Sequence, residues 1–65
     1  MPAQWTAEVI GEMHLAGIKG RDMAKEMGMT AAYVSMVLGG KRTPPGAEER
    51  FREALDRLKT QKAGA

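Results

Sequence analysis

Glycine and proline divide this chain into four short segments, and this division restricts the folds that it can adopt. Glycines stand at positions 17, 28 and 39–40, and a Thr-Pro-Pro-Gly turn occupies positions 43–46. Glycine commonly ends a helix because it tolerates a positive φ, and no helix continues through adjacent prolines. No segment alternates apolar and polar residues, whereas each has apolar residues at helical spacing. We therefore predict an all-α protein, a compact four-helix domain without strands.

The segments between these glycines and the proline turn are the four predicted helices. In the first helix, Thr6 is the predicted cap and Trp5 is predicted to pack on Ile10 before Gly17 ends the helix. The later helices are predicted at residues 20–27, 31–38 and about 47–59. Helical spacing predicts that their inward faces, taken together, hold Trp5, Val9, Ile10, Met13, Ala16, Met23, Ala24, Met27, Val34, Val37, Leu38, Phe51, Ala54, Leu55 and Leu58.

The length and composition exclude several classes of protein. The 65 residues are enough for one domain, which we place at residues 1–62, with a frayed tail at residues 63–65. There is no cysteine, and the one histidine, His14, is predicted to lie on the surface, so we expect no disulfide and no metal site. Without a signal peptide or an apolar run of about 20 residues, the chain is expected to be cytoplasmic.

The acidic residues of the last helix are not spaced against any nucleophile. Glu48, Glu49 and Glu53 are instead predicted to be i, i+4 partners of Arg52 and Arg57. We therefore expect no enzymatic activity and no cofactor.

The basic residues are concentrated in the middle of the chain. The first 18 residues contain two acidic residues and no lysine or arginine, whereas residues 19–45 contain five basic residues against Asp22 and Glu26. These five are Lys19, Arg21, Lys25, Lys41 and Arg42. This distribution favours a polyanionic partner, although an excess of this size is also compatible with an ordinary solvated face.

The segment from Gly20 to Gly39 has the pattern of a helix-turn-helix. Its two short helices are joined by Gly28-Met29-Thr30, which is too tight a turn for antiparallel packing, so the helices must cross steeply. A steep crossing requires a small side chain where the backbones approach, and Ala24 supplies it. Thr30 is the predicted cap of the helix that follows the turn.

From residue 17 to residue 44 the chain resembles the Xre/Cro/C1-type helix-turn-helix family of phage and mobile-element repressors. The similar residues are Met23-Ala24, Gly28, Thr30, Tyr33-Val34-Ser35 and the exit Leu38-Gly39-Gly40-Lys41-Arg42. The resemblance implies a lambda-repressor-like fold with the third helix in the major groove of double-stranded DNA. It also implies a sequence-specific transcriptional regulator, most simply a repressor.

The family's contact positions transfer to this chain as two sets. The base-contacting positions fall on Ala31, Ala32, Tyr33, Ser35 and Met36. The phosphate-contacting positions fall on Lys19, Gly20, Arg21, Thr30, Lys41 and Arg42. Unlike the better-known repressors, this chain has no Gln, Asn or Arg between residues 31 and 38, so readout is expected to rely on thymine methyls and DNA shape.

A second departure from the family lies at the start of the second helix. Lys19 cannot cap it, so we expect its first N–H groups to lack a local partner and to bind either a DNA phosphate or water.

The expected assembly is a homodimer that forms chiefly on a pseudo-palindromic operator. The surfaces expected to pair are the end of the fourth helix, with Leu55 and Leu58, and the segment around Trp5. The alternative is a protein-interaction module, such as an antitoxin-like adaptor, that uses the same helices.

Overall fold

A computed structural model describes residues 3–63, which form four α-helices. The helices are α1 (Gln4–Ala16), α2 (Gly20–Met27), α3 (Ala31–Leu38) and α4 (Ala47–Ala63). No strand occurs in this part of the chain, so the all-α, four-helix class is confirmed. The bounds of α2 and α3 are those predicted from the sequence. The last helix runs four residues further than predicted and includes Ala63, while the rest of the expected tail lies outside the described residues.

The start of α1 differs from the prediction. The helix begins at Gln4, after an extended Ala3, so Thr6 already lies in its first turn. The Thr6 side chain is 3% exposed, and its hydroxyl donates to the Ala3 carbonyl at 2.6 Å instead of accepting from a helix amide. Thr6 is therefore a buried helical residue and not the cap. Trp5 packs edge to face on Phe51, with the ring centroids 5.7 Å apart, while its predicted packing on Ile10 stays a prediction.

The core confirms the predicted inward residues with one exception. Ile10 is 45% exposed, because it lies at the edge of the buried face of α1, which contains Val9 and Met13. The core also contains two residues that helical spacing did not select, Ile18 and Ala47. The buried apolar residues are Val9, Met13, Ile18, Met23, Ala24, Val34, Val37, Leu38, Ala47, Phe51, Ala54 and Leu55. Around them, Trp5, Ala16, Met27, Met29, Tyr33 and Leu58 are partly buried.

The turn between α2 and α3 has the geometry that the sequence predicts. Gly28 has a φ of +70°, and the amide of Met29 donates to the Ala24 carbonyl at 2.8 Å, which closes the end of α2. The Thr30 hydroxyl then accepts from the Tyr33 amide at 3.1 Å and caps α3. The end of α2 and the start of α3 are therefore both capped by bonds at the turn.

Ion pairs join α4 to the two helices that pack beside it. Arg52 binds Glu8 of α1 at 2.7 Å and Glu48 of its own helix at 2.9 Å, and the second pair confirms a prediction. Arg57 binds Glu26 of α2 at 2.7 Å, so its predicted pairing with Glu53 is wrong. The reason is tertiary: α2 brings the Glu26 carboxylate against α4, and Arg57 reaches it across the contact between the two helices.

Overpacking at Ala24 tests the burial of α2 in the core. Ala24 is 4% exposed, so Ala24→Leu would force three additional carbons into a closed space. We expect a loss of about 1–3 kcal/mol in the free energy of unfolding, measured by chemical denaturation. The matched control is Ala7→Leu on the exposed face of α1, which should leave stability within about 0.5 kcal/mol of the parent. Equal effects of the two substitutions would contradict the packing described here.

The Arg57–Glu26 pair predicts a dependence of stability on pH. The hydrogen bond from Arg57 lowers the pKa of Glu26 below its ordinary value of 4.5. The pair therefore stabilises the fold above that ordinary pKa, and this stabilisation is lost as the pH falls through the lowered pKa. Glu26→Gln should lower the melting temperature at pH 7 and match the parent in acid. Glu53→Gln should leave the melting temperature unchanged at both pH values. A larger loss for Glu53→Gln than for Glu26→Gln would show that Arg57 pairs with Glu53 and would contradict the structure.

Candidate nucleic-acid interface

Helix α3 presents its predicted base-contacting residues on the surface. Ala31, Ala32 and Ser35 are exposed, and Tyr33 and Met36 are half-buried. The opposite face of the helix, with Val34, Val37 and Leu38, is buried in the core. The five predicted contacts therefore share the accessible part of α3, and Tyr33 in addition packs against the core.

A groove runs along one side of α3, between this helix, the C-terminal half of α1 and the start of α2. Its volume is about 390 Å³. Two predicted phosphate contacts, Gly20 and Arg21, line it together with two predicted base contacts, Ala31 and Ser35. The rest of the wall consists of Ile10, Met13, Val34, Leu38 and Gly39. The fold thus places the start of α2 and the exposed face of α3 in the wall of the same groove.

The other side of α3 is bordered by the segment that leaves it. Tyr33, Arg42, Thr43 and Pro44 line a smaller depression of about 280 Å³. The amides of Lys41 and Arg42 both donate to the Met36 carbonyl, at 2.9 and 3.3 Å, and this fixes their backbone to the end of the helix. Both side chains are exposed. The predicted phosphate contacts therefore flank α3 on two sides.

The cations near α3 lack acidic partners, in contrast to those of α4. Within residues 3–63, none of the five basic residues between positions 19 and 42 forms an ion pair. The two acidic residues of the same segment are engaged elsewhere. Asp22 accepts from the backbone of Lys19 at 2.9 Å, and Glu26 binds Arg57. These five cations therefore have no carboxylate within ion-pair distance in the described part of the chain, although Asp22 keeps its negative charge at the start of α2.

The start of α2 has a local partner that the sequence analysis missed. The Lys19 amide donates to the Asp22 carboxylate, and the Asp22 amide donates to the Lys19 carbonyl at 2.9 Å. An acidic residue three positions after the cap is the second half of a capping box, and this spacing was the available signal. This bond satisfies the amide of Lys19, which precedes the helix, so the prediction of first amides without a local partner is confirmed at Gly20 and Arg21. The amides of Gly20 and Arg21 still have no acceptor among the described residues.

The surfaces expected to form a dimer contribute largely to the core. Leu55 is 1% exposed, Leu58 is half-buried, and Trp5 packs on Phe51. Little of these side chains is left for a second copy. His14 is exposed in the last turn of α1, as predicted.

No family model, curated protein or solved structure matches the chain. Between residues 3 and 63, no helix combines the length and the apolar character that crossing a bilayer requires.

The cap of α3 can be tested by two substitutions at one position. Thr30→Ala removes the acceptor of the Tyr33 amide and should lower the free energy of unfolding by about 1 kcal/mol. Thr30→Ser keeps the hydroxyl and should retain most of that stability. Urea denaturation of the two variants checks this. If the two variants lose equal stability, the Thr30 oxygen is not the cap that orients α3.

Proposed function

We propose that this protein binds double-stranded DNA through α3 and acts as a transcriptional regulator, most simply a repressor. The observation that carries this proposal is the pair of basic segments, without ion pairs among the described residues, on the two sides of the exposed face of α3. A duplex offers one negative charge for about every 1.7 Å of its axis, so it matches such a surface better than a neutral protein groove would. The sequence resemblance to Xre/Cro/C1-type repressors supports the same function.

In this proposal the two sides of α3 bind phosphates. Lys19, Arg21 and the free amides at the start of α2 contact one strand. Lys41 and Arg42 contact the backbone on the other side, where their main chain is anchored to Met36. The Thr30 oxygen accepts from Tyr33, and its hydroxyl hydrogen remains free to donate to a phosphate.

Base recognition in this proposal is limited by the side chains available. Ala31, Ala32 and Met36 offer methyl groups to thymine, and the Ser35 hydroxyl can donate or accept at a base edge. None of these residues makes a bidentate contact, so one copy should discriminate weakly among sequences. We therefore propose two copies on a pseudo-palindromic site. Because the expected dimer surfaces are mostly buried, the pair should form on DNA and associate at most weakly without it.

A charge-matched pair of double variants tests the phosphate contacts. Replacing Lys41 and Arg42 by Ala should weaken binding to all duplex sequences alike. It should also flatten the dependence of log Kd on log salt by about 0.9 for each lost phosphate contact. The control replaces Arg50 and Lys62, two exposed cations of α4 without a carboxylate partner among the described residues. It removes the same charge and should keep the parent's slope.

Two results of that titration would contradict the proposal. Equal slopes for the two double variants would mean that only net charge matters and that α3 is not the site. No salt-dependent binding of the parent to duplex would instead favour the protein-interaction module, since docking to a protein groove releases no condensed counterions.

A further inference from the structure

Ile10 occupies an unexpected position on the same side of the molecule as the proposed DNA site. Helical spacing placed it in the core, but 45% of the residue is exposed. It lines the groove together with Arg21, Ala31 and Ser35. An apolar side chain from α1 therefore borders residues that the proposed function assigns to phosphate and base contacts.

The wall of the groove has a cationic part at Arg21 and an apolar part at Ile10 and Met13. Arg21 has no carboxylate partner in the described part of the chain, and the amides of Gly20 and Arg21 have no acceptor there. The remaining wall is mainly apolar and includes Ile10 and Met13. A ligand that fits both must present an anionic group and a less polar group side by side. A DNA strand does so at every nucleotide, with a phosphate next to a deoxyribose.

We propose that one sugar–phosphate strand lies in this groove, with a deoxyribose against Ile10 and the adjoining phosphate at Arg21. This inference rests on the proposed function and adds α1 to the elements that touch DNA. Ile10 is then a positioning residue, because it limits how closely the strand approaches α1 and so sets the depth of α3 in the major groove.

Two substitutions on α1 separate this inference from a general effect of charge. Ile10→Glu places a carboxylate beside the proposed phosphate, whereas Leu15→Glu makes the same change at a residue that is 88% exposed and outside the groove wall. Binding of each variant to a random 20-base-pair duplex is measured in 0.1 M salt, where the screening length is about 10 Å. Ile10→Glu should weaken binding by about tenfold or more, and Leu15→Glu by about twofold or less.

A third variant adds a test in the opposite direction. Ile10→Lys should bind the same duplex more tightly than the parent and should steepen its salt dependence by about 0.9, the value for one further phosphate contact. Thermal melting of all three variants checks folding, and both positions are exposed enough to accept a polar side chain.

Different experimental results would contradict this inference and the proposed function. If the parent binds duplex and the two glutamate variants weaken binding equally, the groove holds no strand and the inference is overturned. It is overturned also if Ile10→Lys melts like the parent and binds less tightly. If the parent does not bind duplex at all, the proposed function itself fails.

Discussion

The close packing of α2 on α3 is the constraint on which the remainder of the structure depends. Ala24 is buried in the core, and Gly28 adopts a left-handed conformation that ends α2 and turns the chain toward α3. Val34 and Met23 are completely buried beside this contact. Because α3 is only eight residues long, it would not be a stable helix alone, and its position comes from this packing and from the Thr30 cap.

The same packing explains how charge is distributed over the molecule. Arg52, Arg57 and Lys59 of α4 bind carboxylates of α1, α2 and α4 itself, which neutralises the contacts between these helices. The exposed acids Glu49, Glu53 and Asp56 lie on the outer side of α4, away from its buried stripe. None of the basic residues between positions 19 and 42 forms an ion pair with these acids in the described part of the chain. Such a separation of charge orients a protein before it contacts a polyanion.

The parts of the fold that follow from local chemistry were predictable from the sequence. The glycines marked the ends of α2 and α3, and Thr30 marked the start of α3 because its side chain caps an amide three residues away. The candidate DNA contacts on α3 are instead what the family resemblance implies, and all five positions are exposed or half-buried in the structure.

The bond between the Lys19 amide and Asp22 is local and was missed, but the other features that the sequence did not reveal depend on tertiary contacts. Thr6 resembles a cap, but the packing of Trp5 on Phe51 accompanies a helix that begins a turn earlier. Arg57 had an acidic residue at the favoured spacing, yet it binds one that is 31 positions away in the sequence. Ile10 lies at the edge of the α1 stripe, where helical periodicity alone does not decide between core and surface. The groove beside α3 could not be foreseen for the same reason.

Mapping the duplex on the protein surface by NMR tests the central claim most directly. The chain is labelled with ¹⁵N and titrated with a random duplex at low salt. We expect amide shift changes at residues 19–21, 30–36 and 41–42, and none at Glu49, Glu53 or Asp56. Changes confined to the outer side of α4, or no change at millimolar duplex, would contradict the account.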